Sequence, residues 1–387
     1  MKKKKILIVV NRFYPEVGGA ELNTYKQALE LAKEFEVTVV CPERTKLSLG
    51  FKDGAMKIVR MFNFRNLLRR FPYQKPNTLC FGILLRILFG SYYAVLCFPA
   101  PSHNSFLALI ASKIRRIPCL LVSFDLHDYS RLLKEGAVIR EDLSGLGSFS
   151  KVREFFVRRF SHIFAISNRE ICFYKRFNDS VSYSPVAIDF DDYNLKASSS
   201  TVSDVFNIVM IGRVSHIKGQ DIGLEGFHRL LKMGVKAKLK IVGRTDFEPN
   251  FSDNLRDRVK ELDLEQDVEI LGSISREKLL KYLRESQIHL IPVRFMNSGA
   301  VVVESLASGT FVIQSDMVDP SVVVEGEDGL TFKSGDINDL GVKLHQACEL
   351  ISNQSTNMEE ARERVLKEYN YEVLGNILKQ KILKVSA

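Results

Sequence analysis

Three glycine-led segments of this 387-residue chain place cations, free amides or a carboxylate where they can grip a phosphorylated ligand. The loop Gly212-Arg213-Val214-Ser215-His216-Ile217-Lys218-Gly219 follows an apolar run, with Arg213 and Lys218 five residues apart. Two cations and backbone amides can neutralise a diphosphate leaving group, since charge-assisted hydrogen bonds are worth roughly 1.5–3 kcal/mol each. Gly299-Ala300-Val301 opens a helical stretch that carries Glu304. A helix N-terminus holds phosphate on its free amides, and a carboxylate one turn in accepts two ribose hydroxyls. Gly18-Gly19-Ala20-Glu21 lies at the head of the helical pattern Glu21–Lys33, and paired glycines let a ligand approach the backbone. Each has a plainer alternative: an ordinary basic loop, a buried helix whose glutamate only favours the dipole, and a turn before a helix.

Other reactive side chains are weaker candidates. Asp125-Leu126-His127-Asp128 has the residue types of a metal site, but no further ligand accompanies it, so contact with substrate or a structural role is the better expectation. Asp189-Phe190-Asp191 falls at the edge of a linker rather than after a nucleotide-binding strand, and is read as a chance match. The six cysteines form no C-x-x-C pair and sit mostly in apolar runs, which suits buried thiols in a reducing compartment. No metal and no cofactor is expected.

Short apolar runs alternating with helical patterns must position these segments. The first half gives strands at Lys5–Val10, Glu36–Cys41, Met56–Met61, Tyr93–Phe98, Cys119–Phe124 and Ile163–Ser167, with helices at Leu79–Leu88 and Lys151–Phe160. Residues 191–205 turn polar and serine-rich, the mark of a linker. A second series follows: strands Phe206–Ile211, Ala237–Val242, Val268–Leu271, Ile288–Ile291 and Thr310–Gln314, then helices over Glu277–Glu285, Val302–Ala307, Asp339–Ile351 and Met358–Val385. Such alternation predicts parallel sheets covered by helices, with ligands at the carboxyl ends of the strands. The expected division is an N-terminal α/β domain, 1–190, a linker, 191–205, a C-terminal α/β domain, 206–365, and a last helix, 366–387, returning to the first domain.

Composition is that of a globular protein, 45% hydrophobic and 26% charged. The apolar run behind Lys2–Lys5 is too short for a signal core, and the apolar stretch Leu79–Ala100 is interrupted by Arg86 and glycines. The net charge is +9, with basic clusters at Lys2–Lys5, Arg65, Arg69–Arg70, Arg115–Arg116 and Arg153–Arg159. No nucleic-acid-binding motif accompanies them, so an anionic membrane is the expected partner, against a merely solvated basic face. The expected location is cytoplasmic and peripheral to the membrane's inner face.

In this order, the three segments resemble retaining glycosyltransferases of the GT-B fold, in particular glycosyltransferase family 4, over nearly the whole chain. Gly18, Gly19 and Glu21 match its Gly-Gly-x-Glu, and Gly212, Arg213, Lys218 and Gly219 match its Gly-Arg-x4-Lys-Gly. Glu304 to Val312 resembles its Glu-Ala-x-Ala-x-Gly-x-Pro-Val, with Phe311 at the proline position; Val242-Gly243 and Gly335-Asp336 also fall in register. The resemblance implies two facing Rossmann-like domains with parallel sheets. It implies a nucleotide-sugar donor whose diphosphate lies on Arg213 and Lys218 and whose ribose lies on Glu304, with Gly18, Gly19, Gly212, Gly299, Ala300 and Val301 around it. It implies hexosyl transfer with retention, by front-side attack, to a saccharide or lipid-linked saccharide in cell-surface polysaccharide synthesis.

Three positions depart from the pattern. Met296 stands before Glu304 with seven residues between them, where the family has a glutamate on the transferred sugar; Met lacks a useful acceptor, though Asn297 and Ser298 follow. Pro185-Val186-Ala187-Ile188-Asp189 lacks the Asn-Gly turn usual between the domains. The family's His-Asp has two registers here: His127-Asp128, which brings His127 to the sugar as a catalytic group, or an earlier one that puts Phe124 at the histidine position. Two other functions fit the same fold, a sugar-nucleotide epimerase and a non-catalytic nucleotide-sugar-binding subunit. Turnover without acceptor would mark the first, and binding without transfer the second.

Overall fold

The computed structural model describes residues 3–13, 19–42, 50–53, 56–61, 80–99, 101–124, 151–193, 204–295 and 299–386. The chain forms two units. One comprises Met1–Pro185 with Tyr371–Ala387, the other Val186–Asn370.

The first unit is built on an eight-stranded sheet of order β3-β4-β2-β1-β5-β6-β7-β8. Its strands are β1 Lys5–Val10, β2 Glu36–Pro42, β3 Gly50–Asp53, β4 Met56–Met61, β5 Ala94–Phe98, β6 Cys119–Val122, β7 His162–Ala165 and β8 Val181–Tyr183. All neighbours pair in parallel except the edge strand β3, which is antiparallel to β4. The central strands read as unbroken apolar runs because helices cover both their faces, and Ile6 to Val10 and Ala94 to Phe98 are buried accordingly. Helices α1 Gly19–Ala32, α2 Phe81–Phe89, α3 His103–Ile114, α4 Lys151–Val157 and α5 Asn168–Lys175 connect the strands. Cys97 and Cys119 meet in this core with their sulfurs 3.8 Å apart as free thiols, and of the six cysteines only Cys172 is exposed.

The second unit has a six-stranded, fully parallel sheet of order β11-β10-β9-β12-β13-β14. Its strands are β9 Phe206–Ile211, β10 Ala237–Val242, β11 Val268–Gly272, β12 Ile288–Ile291, β13 Phe311–Ser315 and β14 Gly329–Phe332. Helices α6 Gln220–Lys232, α7 Pro249–Glu261, α8 Arg276–Glu285, α9 Ala300–Ala307, α10 Ile337–Ser352 and α11 Met358–Glu368 cover it. One face of the sheet packs Ile208, Leu239 and Ile313 against Phe227, Leu255 and Leu344; the other packs Val209 and Val312 against Val302, Leu306 and Val365.

Sequence and structure differ at three places. Residues Asp191–Tyr193, given to the linker, belong to a 3-10 turn over Phe190–Tyr193 whose Tyr193 is buried. The single helix expected over Met358–Val385 breaks into α11 and α12, Tyr371–Val385. No glycine or proline breaks it: the Asn370 side-chain amide donates to the carbonyls of Leu366 and Lys367 and ends α11 there. Helix α12 packs on α1, with Leu374, Leu378 and Ile382 buried and Lys379 paired to Glu34 at 2.6 Å. The short strands β3, β8 and β14 lack a long enough apolar pattern to be read beforehand.

Candidate functional site

The candidate site occupies the carboxyl edge of the second unit's sheet. β9 ends at Ile211 and the chain enters the Arg213/Lys218 loop, a 3-10 turn over His216–Lys218 and then α6. Two backbone approaches fix it. Gly212 N–H donates to Val242 O at 2.9 Å, and a Cβ added to Gly243, whose φ is +151°, would stand 1.9 Å from Gly212 O. Only glycine fits at 243, because no side chain can share space with that carbonyl. Gly219 turns left-handed at φ +68° with its α-carbon against Pro292 O, where a Cβ would be 1.9 Å away.

Side chains complete the scaffold. Gln220 donates to Arg213 O at 3.0 Å, and Glu248 accepts from His216 N–H at 3.0 Å. Arg294 donates to His216 O and grips Asp221 with two bonds of 2.7 and 2.6 Å. His216 thus contributes its backbone to the loop. The loop's two cations differ. Arg213 is exposed and lies over the Phe247 ring at 4.3 Å, while the Lys218 stem runs over Gly212, its Cδ 3.7 Å from where a Cβ would be.

Gly299 caps α9 in the left-handed region at φ +77°, with no side chain capping the helix. The amides at its first turn, Ala300 and Val301, are the donors such an N-terminus offers to an anion. Glu304, one turn in, accepts from Arg276 Nη1 at 2.8 Å. Arg276 also donates from Nη2 to the Tyr193 hydroxyl at 2.8 Å and from Nε to Asp192 at 3.3 Å. Burial pushes the Glu304 carboxyl above its ordinary range, with the Arg276 charge pulling it back. Burial, with Glu304 beside it, likewise raises the Tyr193 phenol. The sequence singled out Glu304 but none of these three partners. Their one signal was the aromatic Tyr193 inside an otherwise polar stretch.

His289 was missed as well. It lies buried on β12 between Ile288 and Leu290. Its Nε2 accepts from Ile211 N–H at 3.3 Å, its Nδ1 lies 2.5 Å from Ser305 Oγ, and Ser305 Oγ donates to Val301 O at 2.5 Å. Because Nε2 accepts, Nδ1 carries the proton and donates to Ser305. One neutral imidazole therefore ties the residue before Gly212 to the first turn of α9, joining the two halves of the candidate site. Burial lowers its pKa to about 3.

Several expected residues lie outside the described ones: Gly18, His127 with Asp125 and Asp128, and Met296 with Asn297 and Ser298. Gly19 opens α1, and Phe124, the alternative at the histidine position, follows β6 with its ring 5.7 Å from Phe98. Asp336 caps α10 by accepting from Asn338 and Asp339 N–H, both at 3.0 Å. Among the described residues no group of three or more His, Cys, Asp or Glu is arranged to hold a metal ion.

Residues 192–365 match the family glycosyl transferases group 1. Over 107 residues the chain is 30% identical to mannosylfructose-phosphate synthase of Agrobacterium fabrum, covering 27% of this chain and 24% of that protein. Over 213 residues it is 23% identical to the amylovoran biosynthesis glycosyltransferase AmsK of Erwinia amylovora, covering 52% and 51%. The matched segments thus span half or less of these relatives. The structure superposes on Alr3699/HepE of Anabaena, solved in complex with UDP, with a TM-score of 0.73 at 16% identity, covering 98% and 100% of the two chains. Two parallel-sheet Rossmann-like units give the chain the GT-B fold of this solved neighbour, and within it residues 192–365 are those that match the glycosyl transferases group 1.

Proposed function

We propose that this chain is a retaining hexosyltransferase that uses a nucleotide sugar, with a uridine nucleotide as the first candidate. The observation that carries the reading is the Arg213/Lys218 loop and the N-terminus of α9, which no side chain caps, tied together through His289. In this reading the diphosphate lies on Gly212, Arg213, Lys218, Ala300 and Val301, and the two cations stabilise charge on the leaving phosphate, which is electrostatic stabilisation of the transition state. Glu304 takes the ribose, with Arg276 holding its carboxylate. His127 contacts the transferred sugar, and Gly18 and Gly19 let the donor approach. The UDP bound by the Anabaena neighbour supports the choice of base.

The acceptor is a saccharide or lipid-linked saccharide, the pathway one of cell-surface polysaccharide synthesis, and the working place the inner face of a membrane. The amylovoran transferase among the relatives supports the pathway. No metal enters the reading. The first 190 residues form the acceptor domain and 206–365 the donor domain.

The test measures melting temperature with UDP, GDP and ADP, then sugar transfer from the stabilising nucleotide's hexosides. Arg213→Ala and Lys218→Ala should each lower transfer by 10²-fold or more, in line with loss of one oxyanion-type donor. Near-wild-type transfer by both variants would remove the mechanism. Isomerised donor without acceptor would point to an epimerase.

A further inference from the structure

We infer that the solvent side of the α2–α3–α4 layer docks on an anionic lipid bilayer. The inference deepens the membrane placement proposed above, on which it rests, and is independent of the donor chemistry. The connections β4→β5, β5→β6 and β6→β7 all advance in one direction across the sheet, so right-handed crossovers put their helices on one face. α2 packs beside α3, and α3 meets α4 through the stacked rings of Phe106 and Phe156, 4.3 Å apart.

A helix covering a sheet should be polar on its outer side. α2 is not. Its sequence, FGILLRILF, has Arg86 as its one polar side chain. Ile83 and Ile87 point into the core, while Phe81, Leu85 and Phe89, at i, i+4 and i+8, are 63%, 52% and 86% exposed. The neighbouring helices continue this surface. Ile114 of α3 is 65% exposed, and Val152 and Phe155 of α4 are 61% and 50% exposed. Large apolar side chains gathered on the outer side of three adjacent helices mark an interaction surface rather than scattered exposure.

Charge selects the partner. No Asp or Glu occurs from Gly54 to Phe124, where the chain's average would place about eight, while that stretch carries ten Lys and Arg. Arg86, Lys113, Arg115 and Arg116 therefore stand on or just after α2 and α3 with no carboxylate in the same segment. On α4 the one acid, Glu154, is already taken by Arg158. The Arg159 guanidinium lies 3.4 Å from the centroid of Phe155, a cation resting on the apolar surface itself. Aromatic and aliphatic side chains interleaved with long cations suit the boundary between anionic headgroups and acyl chains, the chains inserting and the cations staying at the phosphates. A nucleic acid would use the cations but leave Phe81, Leu85 and Phe89 without a partner; a second copy of this basic surface would be repelled by it. No helix among the described residues is long and apolar enough to cross a membrane, so the contact is interfacial.

The experiment is co-sedimentation of the full chain with large vesicles of phosphatidylglycerol and phosphatidylcholine (1:1) and of phosphatidylcholine alone. Binding should be confined to the anionic vesicles, weaken with added salt and persist in part at 0.5 M NaCl. The double variant Leu85→Glu/Phe89→Glu should bind at least ten-fold more weakly, with melting temperature and nucleotide-induced stabilisation unchanged. Met233→Glu, at an exposed apolar position in the other unit, should bind as wild type. As a second readout, anionic vesicles should protect the amides of residues 81–90 from hydrogen exchange. Absence of binding, binding untouched by the double variant, or a wild-type oligomer that the double variant dissociates would each overturn the inference. So would binding of a single-stranded RNA that competes fully with the vesicles and is insensitive to the double variant.

Discussion

Replacing His289 by alanine tests the link between the two halves of the proposed phosphate site. The variant removes a buried ring and takes away the acceptor of the Ile211 N–H. The cavity and the orphaned donor together should cost about 4 kcal/mol at pH 7. The histidine also fixes the pH dependence of that loss. Its native pKa is about 3, against an ordinary value of 6.5 that the unfolded chain retains. Between those values the unfolded state binds a proton that the native state refuses, so stability is complete above pH 6.5 and is lost as pH falls towards 3, at up to about 1.4 kcal/mol per unit. By pH 4 the wild type should have lost about 3 kcal/mol through this group alone, and the alanine variant nothing. The gap between the two proteins should therefore close from about 4 kcal/mol at pH 7 to about 1 kcal/mol at pH 4. The assay is urea unfolding followed by far-ultraviolet circular dichroism, since the chain has no tryptophan. His162 in the first unit is also held neutral with a pKa of about 3, but both proteins carry it and the difference cancels it. A gap that stays constant from pH 7 to pH 4 would refute the assignment of a neutral, doubly bonded imidazole.

Two further outcomes follow from the site. Arg276→Ala leaves the half-buried Glu304 without its cation, which should cost about 1–3 kcal/mol at pH 7.5, kept low by the guanidinium's own exposure. Because the carboxyl's pKa is then raised further, the loss should shrink as pH falls to 4.5, read by chemical denaturation at both pH values. Gly243→Ala forces a methyl group onto the Gly212 carbonyl at a φ of +151°, and should cost about 3 kcal/mol while abolishing nucleotide-induced thermal stabilisation.

What the sequence made legible were features that repeat or punctuate. The strand–helix rhythm gave eleven of the strands to within about two residues, because an unbroken run such as Ile6–Val10 must lie in a sheet covered on both faces. The loop at Gly212 and the helix at Gly299 were legible because glycine at those turns has a backbone reason. The partners of Glu304 were not, since Asp192, Tyr193 and Arg276 come from segments more than eighty residues apart and meet only through the fold. His289 sits in the four-residue strand Ile288–Ile291, where a lone imidazole gives no spacing to read; its meaning depends on Ile211 and Ser305. The break at Asn370 is set by a side chain bonding back to the preceding turn, a local event with no periodic trace.

Helix α12 carries a consequence for synthesis on the ribosome. The first unit is started by β1 and α1, yet the helix that covers α1 is encoded beyond the 185 residues of the second unit, Val186–Asn370. At roughly 5–20 residues per second, the growing chain spends about 10–40 s making those residues before α12 follows. Through that interval the α1 surface destined for Leu374, Leu378 and Ile382 stays uncovered. The first unit to begin folding is thus the last to be completed, and a chain arrested anywhere in the second unit would present this surface to chaperones or to other nascent chains.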